Sequence, residues 1–288
     1  MIKKSPKEYT NKQITEKILN RLAEAEKPLP VSLDLYLRIL KAQKKFRLPD
    51  ISKSLSVLQK KAETRLAQHK PALTFSDLKI NWQQAQKVFG EMVKLVAEFL
   101  ETEDLEMEEV NRLVSDQELF KNTVKIWFGA GTVSHKSAAR GGDIHPIISS
   151  IIHASMHPLL AEYADNLLHL VNQKAWYKRY CPICGGSPDF SFLDKEKEGL
   201  RWMLCSRCDA QWRFYRIACP YCDNRDQKSL AYYTDENGIY RLYVCEKCRR
   251  YIKAIDQRKA ETEVLPPLER VLTLDMDRQA AESDYKAE

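Results

Sequence analysis

The chain has 288 residues, of which 44% are hydrophobic and 30% charged, a balance that fits a soluble globular protein and excludes wholesale disorder. Nine glycines against twelve prolines, with no G-x-G-x-x-G and no Walker A pattern, exclude the Gly-rich nucleotide-binding folds. The formal charge of +6 counts eight cysteines as neutral thiols; as thiolates around two divalent ions they would bring it to about +2, weak footing for nucleic-acid binding. No run approaches the roughly 20 apolar residues of a membrane span. The charged stretch Met1–Tyr9 lacks the apolar core of a signal peptide, so a cytoplasmic protein with reduced thiols is expected.

The first 178 residues read as helices. Stretches at about 10–25, 32–46 and 52–68 are separated by Pro28, Pro30, Pro49 and Pro71. From Trp82 the apolar positions Ala85, Phe89, Met92/Val93, Val96 and Phe99/Leu100 advance in steps of three and four, with Ser76 as the expected N-cap. The acidic run Glu101–Glu109 reads as a solvated helix face. Gly129, Gly131, Gly141 and Gly142 mark a loop, a plain connector on the simplest reading and a partner-binding loop on the other, with Asp143 placed to cap the helix that follows. That helix carries Ile148, Ile152, Met156, Leu159, Tyr163, Leu167 and Leu170 on one stripe. His153 and His157 on it are four apart. Ala154 stands where a zinc-protease motif has Glu, and Pro158 disfavours helical geometry at His157, so the pair reads as accidental. Trp82, Trp127 and Trp176 read as packing residues.

Near 177–180 the pattern changes. Short β-prone runs follow at 202–204, 212–217, 240–244 and 251–255, with Asn237-Gly238 as a hairpin turn and Gly199 as a looser one. Pro266-Pro267 and the leucines after them suggest one short helix before a polar tail. An internal repeat is visible: Cys181-Pro182-Ile183-Cys184 recurs as Cys219-Pro220-Tyr221-Cys222 at an offset of 38, and Arg201–Cys205 recurs as Arg241–Cys245 at an offset of 40.

All eight cysteines, Cys181, Cys184, Cys205, Cys208, Cys219, Cys222, Cys245 and Cys248, fall in four C-x-x-C pairs, and none precedes residue 181. A C-x-x-C turn brings two sulfurs to one side, so two such knuckles can enclose one tetrahedral ion. Gaps of 20 and 22 residues suit a hairpin that returns the second knuckle to the first. The tandem repeat favours sequential pairing, Cys181/Cys184 with Cys205/Cys208 and Cys219/Cys222 with Cys245/Cys248, over an interleaved cross-brace. Trp202 and Trp212 are placed to shield the metal. Arg207, Arg213, Arg216, Lys247, Arg249 and Arg250 are placed to offset the negative charge of the thiolate sites. Soft thiolates select zinc or iron. Gly185 after Cys184 suits a rubredoxin knuckle, but Asp209, Asp223 and Arg249 at the corresponding positions favour zinc.

The motifs C-P-I-C-G-G-S-P (181–188), L-C-S-R-C-D-A-Q-W-R (204–213), R-I-A-C-P-Y-C (216–222), V-C-E-K-C-R-R-Y-I-K (244–253) and L-P-P-L-E-R-V-L-T-L-D (265–275) resemble the FdhE-type formate dehydrogenase accessory proteins. The resemblance implies a cytoplasmic, non-catalytic factor with rubredoxin-like metal folds that contacts the catalytic subunit of a formate dehydrogenase. The expected fold class is α+β: an all-α N-terminal domain (1–178), then tandem rubredoxin-like or zinc-ribbon β modules (179–217 and 218–258), then a short helix and polar tail (259–288). Each of the two main parts is expected to have its own core. Two metal ions are expected, zinc ahead of iron, and no membrane span. Two alternatives stay open: a nucleic-acid-binding ribbon protein, since 201–216 and 247–253 mix Arg/Lys with aromatics, and a rubredoxin-like electron carrier.

Overall fold

The computed structural model describes residues 9–99, 107–130, 144–196 and 199–287. The helical part contributes α1 (Asn11–Glu24), α2 (Val31–Gln43), α3 (Ser52–Ala67), α4 (Trp82–Ala97), α5 (Met107–Ser115), α6 (Gln117–Ala130) and α7 (Pro146–Leu167). α1 begins with a capping box: the Gln13 amide N–H donates to Thr10 Oγ1 while Gln13 Oε1 accepts from the Thr10 amide. Its buried face is Ile14, Ile18 and Leu22, one residue per turn. The cap of α4 is Asn81, whose side chain accepts from the Gln84 amide, and not Ser76. Ser76 belongs to a single 3-10 turn, Phe75–Asp77, held by Thr74 and Asp77. An Asx cap one residue before Trp82 leaves the earlier serine no helix to cap. The connector at 131–143, with Asp143, lies outside the described residues, and so does most of the acidic run; α7 is capped by His145.

α7 is buried on nearly every side and forms the centre of the helical part, packed against α4. It also corrects an expectation. The helix runs unbroken through Pro158, so His153 and His157 are one turn apart on it. Proline cannot donate to the carbonyl four residues earlier, Ala154 O. Gln43 Nε2, at the end of α2, donates to that oxygen at 2.7 Å and fills the vacancy. A tertiary contact thus replaces the missing rung.

The ribbon part contributes β1 (Pro188–Leu193), β2 (Arg201–Cys205), β3 (Gln211–Phe214), β4 (Leu230–Thr234), β5 (Tyr240–Cys245) and β6 (Arg250–Asp256). Gly199 and Gly238 turn the two hairpins with φ of +73° and +66°. Each ribbon is a three-stranded antiparallel sheet. The two join through a parallel β1–β6 pairing, Phe190 opposite Lys253, into one six-stranded sheet of order β3-β2-β1-β6-β5-β4.

The expectation of separate cores does not hold. One apolar cluster runs from Phe46 and Phe89 through Phe120 and Leu160 to Cys181, Cys208, Met203, Trp212 and Ile252. Met203 and Trp212 alternate along their strands as sheet residues do, but the face they present meets helices. Backbone bonds stitch the junction: the Ala72 and Leu73 amides donate to Pro182 O and Ile183 O at 2.8 and 2.9 Å.

The tail is also more ordered than expected. Two helices, α8 (Pro266–Leu272) and α9 (Leu274–Glu282), lie on the other face of the sheet. Leu265 and Leu268 pack with Ile14, Ile18 and Leu22, and Ala280 and Tyr285 pack with Leu242 and Val244. The Lys286 amide then donates to Arg249 O at 2.8 Å. Among the described residues no helix is long and apolar enough to cross a membrane.

Gln43→Ala should cost about 1–2 kcal/mol in denaturant unfolding, because it strands the Ala154 carbonyl. In a Pro158→Ala background, where the chain supplies its own N–H, the same change should cost clearly less.

Candidate metal centres

The eight cysteines form two groups, Cys181/Cys184/Cys205/Cys208 and Cys219/Cys222/Cys245/Cys248, the sulfurs of each group all within 4.8 Å of one another. This is the sequential arrangement. Measured sulfur–sulfur distances are 3.6 Å (Cys181–Cys208), 3.5 Å (Cys184–Cys205), 3.6 Å (Cys219–Cys248) and 3.7 Å (Cys222–Cys245). They are too long for disulfides. A tetrahedron of thiolates at about 2.3 Å from a zinc ion has edges of about 3.8 Å. The donor set therefore fits a tetrahedral, thiophilic ion in each group.

Each knuckle is built the same way. The residue after its second cysteine has positive φ: Gly185 at 77°, Asp209 at 51°, Asp223 at 58°, Arg249 at 53°. In three of the knuckles the amide two residues after the first cysteine points at its sulfur: Ile183 N–H to Cys181 Sγ (3.3 Å), Arg207 N–H to Cys205 Sγ (3.4 Å) and Tyr221 N–H to Cys219 Sγ (3.4 Å). Gly185 is thus one instance of a shared geometry that three non-glycine residues also adopt, at some strain. Gly186 is constrained by space: a Cβ there would sit 2.8 Å from Arg207 Cδ.

The two groups differ in setting. All four cysteines of the first are buried, whereas Cys222 and Cys248 of the second are half-buried. In the first group burial pushes the Cys181 and Cys208 thiols up. Hydrogen bonds from its three neighbours, and then the Arg207 charge, pull Cys184 well down. A divalent cation held by four thiolates would displace the protons that these buried thiols keep.

The flanking residues are placed as follows. Trp212 packs in the core that holds the first cage, its indole N–H donating to Lys178 O, while Trp202 lies on the opposite face and donates to Asp194 Oδ2. Arg207 turns its guanidinium to the Trp127 and Phe128 carbonyls, 2.7 and 3.0 Å away, and stacks on the Trp127 ring. Arg213 lies over Tyr177, and Arg249 pairs with Glu246. Arg201, from the first ribbon, reaches the second: its Nη1 donates to Ala218 O, beside Cys219, and its guanidinium stacks 4.4 Å from the Tyr243 ring centre.

A buried polar network beside Cys208 escapes sequence reasoning. Asp209 accepts from His157 Nε2 and Arg270 Nη2, both at 2.9 Å, and Arg270 Nε lies 2.9 Å from Asp189 Oδ2. Against the effect of burial, Arg270 and His157 hold Asp209 well below the usual carboxylate range. Asp189, with burial outweighing Arg270, is pushed up to about 7. Burial, with His157 and Arg270 nearby, brings His153 down to about 3, so it stays neutral. The histidine pair thus serves the junction through His157 and takes no part in either cysteine cage. Asn11 Nδ2 completes the ring by donating to Cys208 O at 3.3 Å. Nothing local in the sequence links residues 11, 157, 209 and 270.

Comparisons with known proteins meet this geometry at the first cage. Residues 180–216, the first ribbon, match the family model described as the FdhE central domain. An FdhE homolog from Aquifex aeolicus is 28% identical over 235 residues, 81% of this chain and 77% of its own length. One from a Shewanella species is 27% identical over 173 residues, 59% of this chain and 55% of its own. The crystal structure of the FdhE protein from Pseudomonas aeruginosa superposes with a TM-score of 0.60 at 19% identity, covering 95% of this chain and 92% of that one, and so shares its fold. With four C-x-x-C knuckles in two cages and a helical part that encloses the first of them, the protein is similar to the FdhE proteins in the sequence of its first ribbon, over most of its length to the Aquifex homolog, and in its fold.

Proposed function

We propose that this chain is a non-catalytic accessory protein that assists assembly of a formate dehydrogenase, by contact with that enzyme's catalytic subunit in the cytoplasm. The observation that carries the reading is the pair of four-cysteine cages on a ribbon whose first half matches the FdhE central domain. All eight cysteines are accounted for by the cages, each of which would hold one ion, with zinc favoured over iron. Such an ion cross-links knuckles whose strands are too short to be stable alone, so that binding free energy becomes folding free energy. On this reading the ions set the shape of the protein surface that the partner meets.

Several basic residues that could have formed a phosphate track are used internally. Arg207, Arg213 and Arg249 contact carbonyls, a ring and a carboxylate of the same chain. That supports a protein partner over nucleic acid, since sequence-independent affinity for nucleic acid grows with the number of phosphates that free cations neutralise.

Cobalt(II) titration of the reduced protein should show two ions taken up per chain, each with sulfur-to-metal charge transfer from four thiolates. One ion per chain, or nitrogen ligation, would contradict the two-cage assignment. Deleting the gene should lower formate dehydrogenase activity while leaving the enzyme's polypeptide present, and the tagged chain should retain the catalytic subunit at moderate salt. Unchanged activity in the deletion strain would overturn the accessory reading.

A further inference from the structure

A cavity of about 480 Å³ opens on the second ribbon, between the crossover at 216–221, the edge strand β4 and the sheet face carrying Tyr243 and Ile252. Four guanidinium groups line it, from Arg201, Arg216, Arg241 and Arg250, and among the described residues no carboxylate does. Arg241 is answered by Asp256 at 2.7 Å. Arg216 and Arg250 form no ion pair with any described residue, and Arg250 stacks instead over Tyr221. Like charges gathered round a concave surface raise the local potential and favour an anionic occupant.

Arg201 adds a geometric signal. It is 2% exposed, and its Nη1 is satisfied by Ala218 O, but Nε and Nη2 have no hydrogen-bond partner, sulfur included. Those two N–H groups lie on one edge of the guanidinium and form the fork that receives a carboxylate with two parallel bonds. A buried charged group with unmade bonds is costly, and the Tyr243 ring beneath it offers a face but no acceptor in that plane. Both nitrogens are sealed from solvent, so an oxyanion in the cavity would reach them only after the Arg201 side chain shifts toward it.

The rim points to what carries the oxyanion. β4 is the outermost strand, paired only with β5, so its other edge has free backbone donors and acceptors. Ile217 and Tyr232, both lining the cavity, are among the exposed large apolar residues, at 49% and 52%. An open strand edge, apolar footholds and convergent guanidiniums match an extended peptide that pairs along a strand and places a side-chain carboxylate inside. A nucleic acid would need cations spread along a backbone track, whereas these four converge on one cavity.

We propose that this cavity is a binding site for an extended acidic peptide segment of a partner protein, which adds to β4 and places a carboxylate among Arg201, Arg216 and Arg250. The inference goes beyond the accessory reading, because it holds for any partner that presents such a segment.

The test uses the full chain with both cages loaded and a fluorescein-labelled octapeptide alternating valine and aspartate, followed by anisotropy. Its asparagine counterpart and an oligouridylate are run in parallel. The aspartate peptide should bind, and the asparagine peptide should bind at least about tenfold more weakly. Arg216→Glu, at an exposed position on the rim, should weaken the aspartate peptide by a similar factor while leaving metal content unchanged. Tyr232→Ala should weaken it less. Equal binding of both peptides, no binding of either, indifference to Arg216→Glu, or binding of the oligouridylate alone would each overturn the proposal.

Discussion

The first cysteine cage is buried in the seam between two kinds of structure, and the rest of the molecule depends on that burial. Its four sulfurs share an apolar cluster with α4, α6 and α7, and the segment 72–73 holds its first knuckle by backbone hydrogen bonds. Buried thiols cannot all ionise without a cation, and a cation there fixes two knuckles, two strands and the helical wall at once. The second cage has no such wall. Cys222 and Cys248 stay half-buried, and the cage is tied to the first through the β1–β6 pairing and through Arg201.

This arrangement assigns the two ribbons different work. The first is continuous with the helical core and positions the sheet. The second stands at the free end of that sheet, with its edge strand and its arginine-lined cavity toward solvent. The C-terminal helices brace the opposite face: Lys253 Nζ, 3% exposed as a residue, donates to Arg270 O and Asp277 Oδ2. Arg270 in turn reaches Asp209, next to Cys208 in the second knuckle of the first cage. A tail that sequence composition marks as polar is therefore part of the framework.

The sequence made the cages legible because C-x-x-C spacing and the near-40-residue repeat are local signals with a single geometric use. Helix positions were legible for the same reason, from steps of three and four; α1 to α3 match the expected stretches closely. What stayed hidden was long-range. The apolar face of Met203 and Trp212 reads as a strand, but alternation does not say what the strand packs against. Pro158 obeys its local rule by leaving Ala154 O unpaired, and only Gln43, 111 positions from that carbonyl, lets the helix continue. Asp209 and Arg270 are 61 residues apart, so their pairing leaves no trace in either segment. Strands β1 and β4 are implied only by the hairpin turns that follow them, because Pro188, Asp189 and Ser191 interrupt one apolar pattern and four of the five β4 residues are exposed.

The shared core is most directly tested by hydrogen exchange on metal-loaded protein and on Cys184→Ser. If the first cage is common to both parts, the variant should lose protection in α7 as well as in β1 to β3. Unchanged protection across Pro146–Leu167, with loss confined to the ribbon, would show that the helices hold a core of their own.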